Sequence, residues 1–220
     1  VMEFIALHRM EQKLPSESDT RALFHDLWER EAKEGPPLEK DEDQTPDDCA
    51  KQGAELAVAY LKQVDPAERV IAMNETFAVP VGNSDRPLIG EIDCVVEGEA
   101  GKALVDWKTS ARRWPKDQAD KSLQPTVYLY AHRQLHADQL PGFRFDVVVK
   151  NKTPVVERNF TTRSPDDFRR LECLVDKAER VIAHEVFYPS DQSFACNGCP
   201  HREPCRAWHR SQSRVISLAA

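Results

Sequence analysis

Several features are missing from this sequence of 220 residues, and each absence excludes a class of protein. No apolar run approaches the roughly 18 to 20 residues that a membrane-spanning helix needs, so we expect no membrane association. No secretory signal opens the chain, because polar and charged residues interrupt the apolar part of its first ten residues. No internal repeat, collagen-like period or coiled-coil period is visible. We therefore expect an intracellular, cytoplasmic protein.

The composition is that of a folded domain. Apolar residues make up 40% of the chain, with four Trp and nine Phe, which is enough to build a core. The length corresponds to one domain, or to one domain with a small appendage. The net charge of −7 and the isoelectric point near 5.6 do not indicate a protein that coats nucleic acid through bulk charge. A local basic groove remains compatible with this balance.

Hydrophobic periodicity predicts an α/β domain. We expect helices over 18–33, 49–64, 122–137 and 164–184, and strands over 69–81, 88–98, 102–110, 143–150 and 155–162. Residues 35–48 are rich in Pro and acidic residues and are predicted to form a loop. Helices before, between and after the strands indicate a mixed sheet with helices on its flanks.

Cysteines are unevenly placed. Cys196, Cys199 and Cys205 form a C-x2-C-x5-C cluster near the C-terminus, whereas three others, at positions 49, 94 and 173, stand alone. Without an export signal, disulfides are not expected, so the clustered thiols are predicted to bind a metal. The isolated cysteines are interpreted as small buried side chains.

Two predicted strands carry acidic residues where a buried strand would not favour them. Asp93 interrupts the apolar run 88–98, and Asp106 and Lys108 are two apart in the next strand, hence on one face. Burying an aspartate is costly unless something pairs with it. Two carboxylates delivered by neighbouring strands would repel each other unless a divalent cation lay between them. The alternative is a partly exposed Asp106–Lys108 ion pair on a sheet face.

These residues resemble the PD-(D/E)XK nucleases in their RecB-like branch. The family's Gly-x-x-Asp is matched by Gly90 to Asp93, and its acid-x-Lys by Asp106 and Lys108. The resemblance implies a restriction-endonuclease-like core in one nuclease domain over 1–220. That domain would comprise an N-terminal helical part (1–68), an α/β core (69–186) and a Cys-rich tail (187–220).

Further family motifs lie on predicted helices. Gln124 and Tyr128 match Gln-x-x-x-Tyr and share one helix face, which in the family faces the active site and the DNA. Pro125 fits only if that helix begins beside it. His25 matches an early-helix histidine that serves as a further metal ligand, although a surface histidine is the alternative. Glu75 lies in a run that resembles the family's first core strand.

Phosphodiester hydrolysis gives these residues roles. The resemblance implies that Asp93, Asp106 and His25 hold Mg²⁺ or Mn²⁺, and an imidazole ligand would favour Mn²⁺. The bound ion would acidify a water and neutralise phosphate charge. Lys108 would position that water, with Gln124 and Tyr128 as further catalytic residues.

A basic run leaves the Asp106 strand directly. Arg112, Arg113 and Lys116 can follow phosphates while Trp114 stacks on a base, so this segment is predicted to bind DNA. A solvated, flexible loop is the alternative.

The C-terminal thiols have a resemblance of their own. In the iron–sulfur branch, which includes the AddB nuclease domain and RecB-like CRISPR-associated nucleases, a C-x2-C-x5-C tail and one upstream Cys bind a 4Fe–4S cluster. No Cys precedes His25 here. The fourth ligand would then lie upstream of Val1, or Cys49 would replace it. Zinc held with His201 or His209, or no cluster, are the other interpretations.

The combined prediction is a metal-dependent DNA nuclease, an exonuclease of recombination, repair or phage DNA metabolism. It would be nucleoid-associated, and either free-standing or the nuclease module of a helicase–nuclease with a helicase or recombination partner. The first alternative is a catalytically silent DNA-binding or scaffold member of the same fold. A zinc-ribbon regulatory protein is a third interpretation, but it leaves the strand aspartates unexplained.

Overall fold

The computed structural model describes residues 2–11, 13–35, 45–136, 141–190, 196 and 199–212. The chain divides into two compact units, residues 1–173 and 174–220. This division falls inside the last long helix of the first unit, so the single domain predicted over 1–220 stays a prediction. Most of the predicted loop 35–48, from 36 to 44, lies outside the described residues.

The first unit is built on a five-stranded mixed sheet. Its strands are β1 (Arg69–Val79), β2 (Leu88–Gly98), β3 (Gly101–Ser110), β4 (Gly142–Val149) and β5 (Val155–Thr161). They lie in the order of the sequence, and only the β3–β4 pair is parallel. The helical crossover between β3 and β4 is what a parallel pair requires. The predicted mixed α/β sheet with helices on its flanks is confirmed.

Seven helices are described. They are α1 (Met2–Met10), α2 (Glu17–Glu34), α3 (Pro46–Lys62), α4 (Gln118–Lys121), α5 (Gln124–Leu135), α6 (Pro165–Ala183) and α7 (Arg202–Gln212). Four of them correspond to predicted helices. The helices α1, α4 and α7 were not predicted, because polar residues interrupt the apolar pattern in α1 and α7, and α4 is a single turn.

Capping residues fix where the early helices begin. Ser16 accepts from the backbone N–H of Asp19, whose carboxylate accepts from the Ser16 backbone in return, and Thr45 and Asp48 repeat this pairing at α3. Such reciprocal capping satisfies N–H groups that have no partner inside the helix. Both helices therefore begin earlier than apolar periodicity alone predicts.

The two faces of the sheet carry different helices. One face packs on α1 and α3 through two clusters of buried residues, Ile5, Leu56, Tyr60, Leu61 and Val148, and Ala6, Val70, Cys94, Val96 and Val105. Trp107 of β3 packs against both clusters. Tyr128 of α5 contacts the rings of Phe77 and Phe143, so α5 covers the other face.

The second unit contains the C-terminal half of α6 and α7. Apolar side chains at Leu174, Val181 and Ile182 of α6 are partly exposed, as is the following segment 186–188. Among the residues that the structure describes, no helix is both long and apolar enough to cross a membrane.

Candidate active site

The site lies where β2 and β3 separate. Their backbone pairing ends at Cys94 and Val105, one residue before Asp93 and Asp106. Beyond that point the Asp93 carboxylate takes the place of the missing strand partner, because its Oδ2 accepts the backbone N–H of Trp107 at 3.1 Å. The Asp93 side chain thus replaces the backbone hydrogen bond that is missing between β2 and β3. Asp93 and Asp106 lie next to each other at the point where this pairing ends.

Asp106 is fully buried. Its Oδ1 accepts a hydrogen bond from Gln124 Nε2 at 2.6 Å. Its Oδ2 is in direct contact with the Lys108 ammonium, and this ion pair is its one protein partner among the described residues. A buried carboxylate can accept several hydrogen bonds, so Asp106 retains unused capacity to bind a cation or a donor.

Burial dominates the electrostatics of Asp106. It raises the pKa of this carboxyl to about 6, which is above its ordinary value of 3.8, while the Lys108 ammonium acts to lower the pKa. The charge of Asp93 contributes to the rise, as expected for two carboxylates on neighbouring strands. In the absence of a cation, the site therefore holds a proton more readily than an exposed aspartate does.

The start of α5 places the predicted Gln and Tyr. The helix begins at Gln124, as Pro125 requires, and Gln124 Nε2 also donates to the Tyr128 hydroxyl at 2.9 Å. Burial is the main cause that raises the pKa of Tyr128, and the charges of Asp106 and Asp93 add to it. The hydrogen bond from Gln124 places the Asp106 carboxylate on the α5 side of the sheet. Asp93 points to the same side, because its neighbour Cys94 packs with Ala6 of α1 on the opposite face and successive strand side chains alternate.

Gly90 has a packing role that explains the glycine of the Gly-x-x-Asp motif. A Cβ at this position would come within 2.5 Å of the Phe77 ring, and Phe77 in turn contacts Tyr128. Any larger residue would displace the ring that supports α5 over the site. Glu75, two residues before Phe77, contacts His136 at 2.8 Å.

Arg163, which was not predicted from the sequence, anchors the segment between α4 and α5. Its guanidinium donates to the carbonyl oxygens of Ala119 and Ser122 at 3.1 and 2.8 Å, and to Thr126 Oγ1 at 2.7 Å. These bonds hold the turn from which Gln124 reaches Asp106. An arginine between a strand and a helix has no distinctive sequence pattern, so no signal pointed to it.

Asp93 and Asp106 have the chemistry of ligands for a hard divalent cation. Both supply carboxylate oxygens, and each oxygen of the buried Asp106 has one protein partner, Gln124 on Oδ1 and Lys108 on Oδ2. Mg²⁺ is typically held by one or two carboxylates and several waters, so the pair fits such an ion. Within the described part of the chain, no three His, Cys, Asp or Glu side chains are grouped closely enough to hold one metal. His25, half-buried on α2, is therefore not brought to the two aspartates in this structure.

The predicted DNA-binding run lies between β3 and α4. Arg112 and Lys116 are exposed, and Arg113 forms an ion pair with Glu157 of β5. The Trp114 ring packs edge-on against Phe145, with ring centroids 5.0 Å apart. Trp114 thus fixes the loop to the sheet in this structure.

The three clustered cysteines lie in the second unit. Each is half-buried, and they are not among any group of potential metal ligands in the described residues. Residues 197 and 198, between Cys196 and Cys199, lie outside the described residues. His209, one of the predicted zinc partners, contacts the Pro189 carbonyl at 3.1 Å.

The isolated cysteines follow the prediction only in part. Cys94 is buried, and burial raises the pKa of its thiol to about 12, so it is chemically inert. Cys49 is half-buried. The expectation of a buried side chain is wrong for Cys173, which is exposed because it lies on the outward face of α6.

The comparison with family models agrees with this arrangement. A family model described as the PD-(D/E)XK nuclease superfamily matches residues 1–206. A solved structure titled "Crystal structure of SSO0001" is similar at 13% identity and a TM-score of 0.43, over 94% of this chain and 96% of that chain. No curated protein matches the sequence.

Proposed function

Because the chain belongs to the PD-(D/E)XK nuclease superfamily, we propose that it is a metal-dependent nuclease that hydrolyses phosphodiester bonds of DNA. The observation that carries the proposal is the meeting of Asp106, Lys108 and Gln124 beside Asp93, at the point where β2 and β3 separate. These four residues come from β2, β3 and α5.

Each residue has a defined part in the reaction. Asp93 and Asp106 would hold Mg²⁺ or Mn²⁺, which when bound supplies a more acidic water and neutralises charge on the phosphate. Lys108, with its ammonium beside Asp106, orients the attacking water and offsets negative charge at the phosphate. Gln124 fixes the orientation of the Asp106 carboxylate, and Tyr128 fixes Gln124. His25 as a further ligand remains a proposal that requires movement of α2 toward the site.

DNA would approach along the segment that follows β3. Arg112 and Lys116 are exposed and positively charged at the end of the strand that carries Asp106 and Lys108. Arg113 would exchange Glu157 for a phosphate, since both offer oxygen atoms to a guanidinium. Trp114 would stack on a base only after leaving Phe145.

The finer assignments are proposals on the same footing. We place the protein in the RecB-like branch, as an exonuclease of recombination, repair or phage DNA metabolism that works with a helicase or recombination partner. The tail cysteines 196, 199 and 205 would bind a 4Fe–4S cluster with one further thiol. A brown protein with iron–sulfur absorbance supports the cluster, and a colourless protein that contains zinc removes it.

One assay tests the central proposal. Labelled DNA is incubated with Mg²⁺ or Mn²⁺ and the parent, Asp106→Ala, Lys108→Ala or Lys102→Ala protein. Lys102 lies on the same strand as the site residues, six positions before Lys108, and serves as the matched control. We expect the parent and Lys102→Ala to cleave the DNA, and Asp106→Ala and Lys108→Ala to lose this activity. Equal cleavage by all four proteins would remove the catalytic assignment. Binding of DNA without cleavage by the parent would favour the silent DNA-binding alternative.

A further inference from the structure

A chain of hydrogen bonds reaches the site from the opposite face of the sheet. The Trp107 indole Nε1 donates to the Tyr60 hydroxyl at 2.8 Å, and that hydroxyl donates to Asp146 Oδ2 at 3.2 Å. Tyr60 and Asp146 are both buried, and they lie on α3 and β4. None of these contacts belongs to the proposed catalytic set, yet they end on the residue between Asp106 and Lys108.

The chain continues into a cluster of buried charges. Arg144 Nε donates to Asp146 Oδ1 at 2.9 Å, and the same guanidinium pairs with Glu68. Arg9 of α1 donates to the Glu68 backbone carbonyl at 2.8 Å and lies 3.6 Å from its carboxylate. Two cations and two anions therefore balance, which allows these charges to be buried. The cluster connects α1, the loop before β1, β4 and α3 through directed bonds.

The position of Tyr60 is set by strand register. Trp107 and Asp146 are direct partners in the parallel β3–β4 pair, and the Tyr60 hydroxyl contacts both side chains. Tyr60 thus joins β3 to β4 at one rung of the sheet. On its other side, the Trp107 backbone N–H is the donor that holds Asp93 Oδ2.

We infer that Tyr60 is a positioning residue for the proposed metal site, acting through Trp107 on Asp93 and on the Asp106–Lys108 segment. This inference rests on the proposed function. Tyr60 holds the Trp107 side chain in place and thereby also holds the Trp107 backbone. The N–H of that backbone donates to one oxygen of Asp93. Outer-shell hydrogen bonds of this kind commonly tune metal affinity.

The experiment measures Mn²⁺ binding without DNA, by titration that counts free Mn²⁺ from its electron paramagnetic resonance signal. The proteins are the parent, Tyr60→Phe, Trp107→Phe, the double variant and Asp106→Ala. Tyr130→Phe is the matched control, because it removes a buried hydroxyl that contacts the Glu172 carboxylate, away from β3. Thermal melting confirms that each protein is folded at the assay temperature.

The expected result is an increase in the Mn²⁺ dissociation constant of about 10-fold, the low end for outer-shell partners, for Tyr60→Phe and for Trp107→Phe. The double variant should lose no more than the larger single loss, because both changes remove the same Trp107–Tyr60 hydrogen bond; Tyr60→Phe also removes the bond to Asp146. Tyr130→Phe should bind like the parent. A general loss of stability would not produce this pattern in folded protein. Should Tyr60→Phe fail to fold, Trp107→Phe alone still tests the inference.

Three outcomes overturn the inference and can be told apart. If Asp106→Ala abolishes Mn²⁺ binding but both aromatic variants bind like the parent, the positioning role is wrong while the proposed function stands. If Asp106→Ala binds Mn²⁺ as well as the parent does, the metal site itself is wrong and both proposals fall. Additive losses in the double variant would mean that Tyr60 does not act through Trp107.

Discussion

Two buried aspartates on neighbouring strands differ in how the protein satisfies them. Asp146 of β4 accepts hydrogen bonds from Arg144 and Tyr60 on both of its oxygens. Asp106 of β3 accepts one bond, from Gln124, and its second oxygen has only the ion pair with Lys108. Burial raises the pKa of both carboxyls, and Arg144 counteracts it at Asp146 as Lys108 does at Asp106.

The difference separates a structural aspartate from a functional one. Buried polar groups in folded proteins normally have their hydrogen bonds made, and an exception needs an explanation. At Asp146 the protein itself supplies the partners, so this residue stabilises the fold. At Asp106 part of the capacity is left open, which a bound cation would use. Stability and activity should therefore respond in opposite ways to changes at the two positions.

The largest expected effect is on catalysis. Asp106→Asn keeps the size of the side chain but removes the charge that would hold the cation, so DNA cleavage should fall by about 10³-fold or more. This loss is measured as the rate at which the variant cleaves labelled DNA in Mg²⁺. Asp26→Asn, at an exposed position of α2, is the control and should cleave like the parent. If Asp106→Asn kept most of the cleavage activity, Asp106 would not be the functional aspartate of the two.

The next effect is on folding. Asp146→Ala removes one of the two carboxylates, Asp146 and Glu68, that pair with Arg144 in the described part of the chain. Breaking a buried ion pair in this way costs about 3–5 kcal/mol. Urea unfolding at neutral pH without metal gives the free energy, with Asp26→Ala as the control. A loss below about 1 kcal/mol, the value of an exposed pair, would show that the cluster does not stabilise the fold.

Asp106→Asn should act in the opposite direction on stability. The folded-state pKa of about 6 exceeds the ordinary value of 3.8, so the folded protein binds this proton more tightly than the unfolded chain does. The contribution of Asp106 to stability is therefore favourable at low pH and is lost as the pH rises from about 4 through about 6. At neutral pH without metal, the variant should be about 1–3 kcal/mol more stable than the parent.

The pH series supplies the check on this sign. Unfolding free energies of the parent and of Asp106→Asn are measured in a chelator between pH 4 and pH 8. Their difference should grow with pH and level off above about 6. A difference that is constant across this range would mean that Asp106 has an ordinary pKa and that its burial has no electrostatic consequence.

Removing the hydrogen bond to Asp106 should have a smaller effect than removing its charge. Gln124→Ala leaves the carboxylate free to rotate, so cleavage should fall by about 10-fold. Gln118→Ala, on the exposed surface of α4, is the matched control. If Gln124→Ala cleaves as fast as Gln118→Ala does, the orientation of Asp106 is set by Lys108 alone.

The smallest effect is expected outside the site. Arg112→Ala and Lys116→Ala should each weaken DNA binding a few-fold and reduce the slope of log affinity against log salt by about one. Lys33→Ala, exposed on α2, should change neither value. Unchanged salt slopes in both variants would place the DNA path elsewhere on the surface.

The sequence predicted the part of the site that stands out against an apolar background. Asp93, Asp106 and Lys108 interrupt strands that are otherwise suitable for burial, and Pro125 fixed the start of α5. Such local conflicts between a residue and its element are visible without a structure. The five strands could also be predicted from local signals, because strand periodicity and turn residues are visible within short segments of the sequence.

The supporting contacts were not predicted, because they join residues that are distant in the chain. Arg144 and Asp146 are two apart in an apolar strand, the same type of signal as Asp106 and Lys108, and could have been noticed. Tyr60 looks like any core residue of α3, and its contact with Asp146 spans 86 positions. The opening of the β2–β3 ladder likewise depends on register, which no single strand reveals.

A crystal structure of the protein soaked in Mn²⁺ would test the central claim most directly, by the anomalous scattering of the ion. Asp93 and Asp106 are predicted to lie on either side of one peak, each with a carboxylate oxygen about 2 Å from it. That peak should disappear in Asp106→Ala. A peak elsewhere, with the two carboxylates too far apart to contact one ion, would contradict the account.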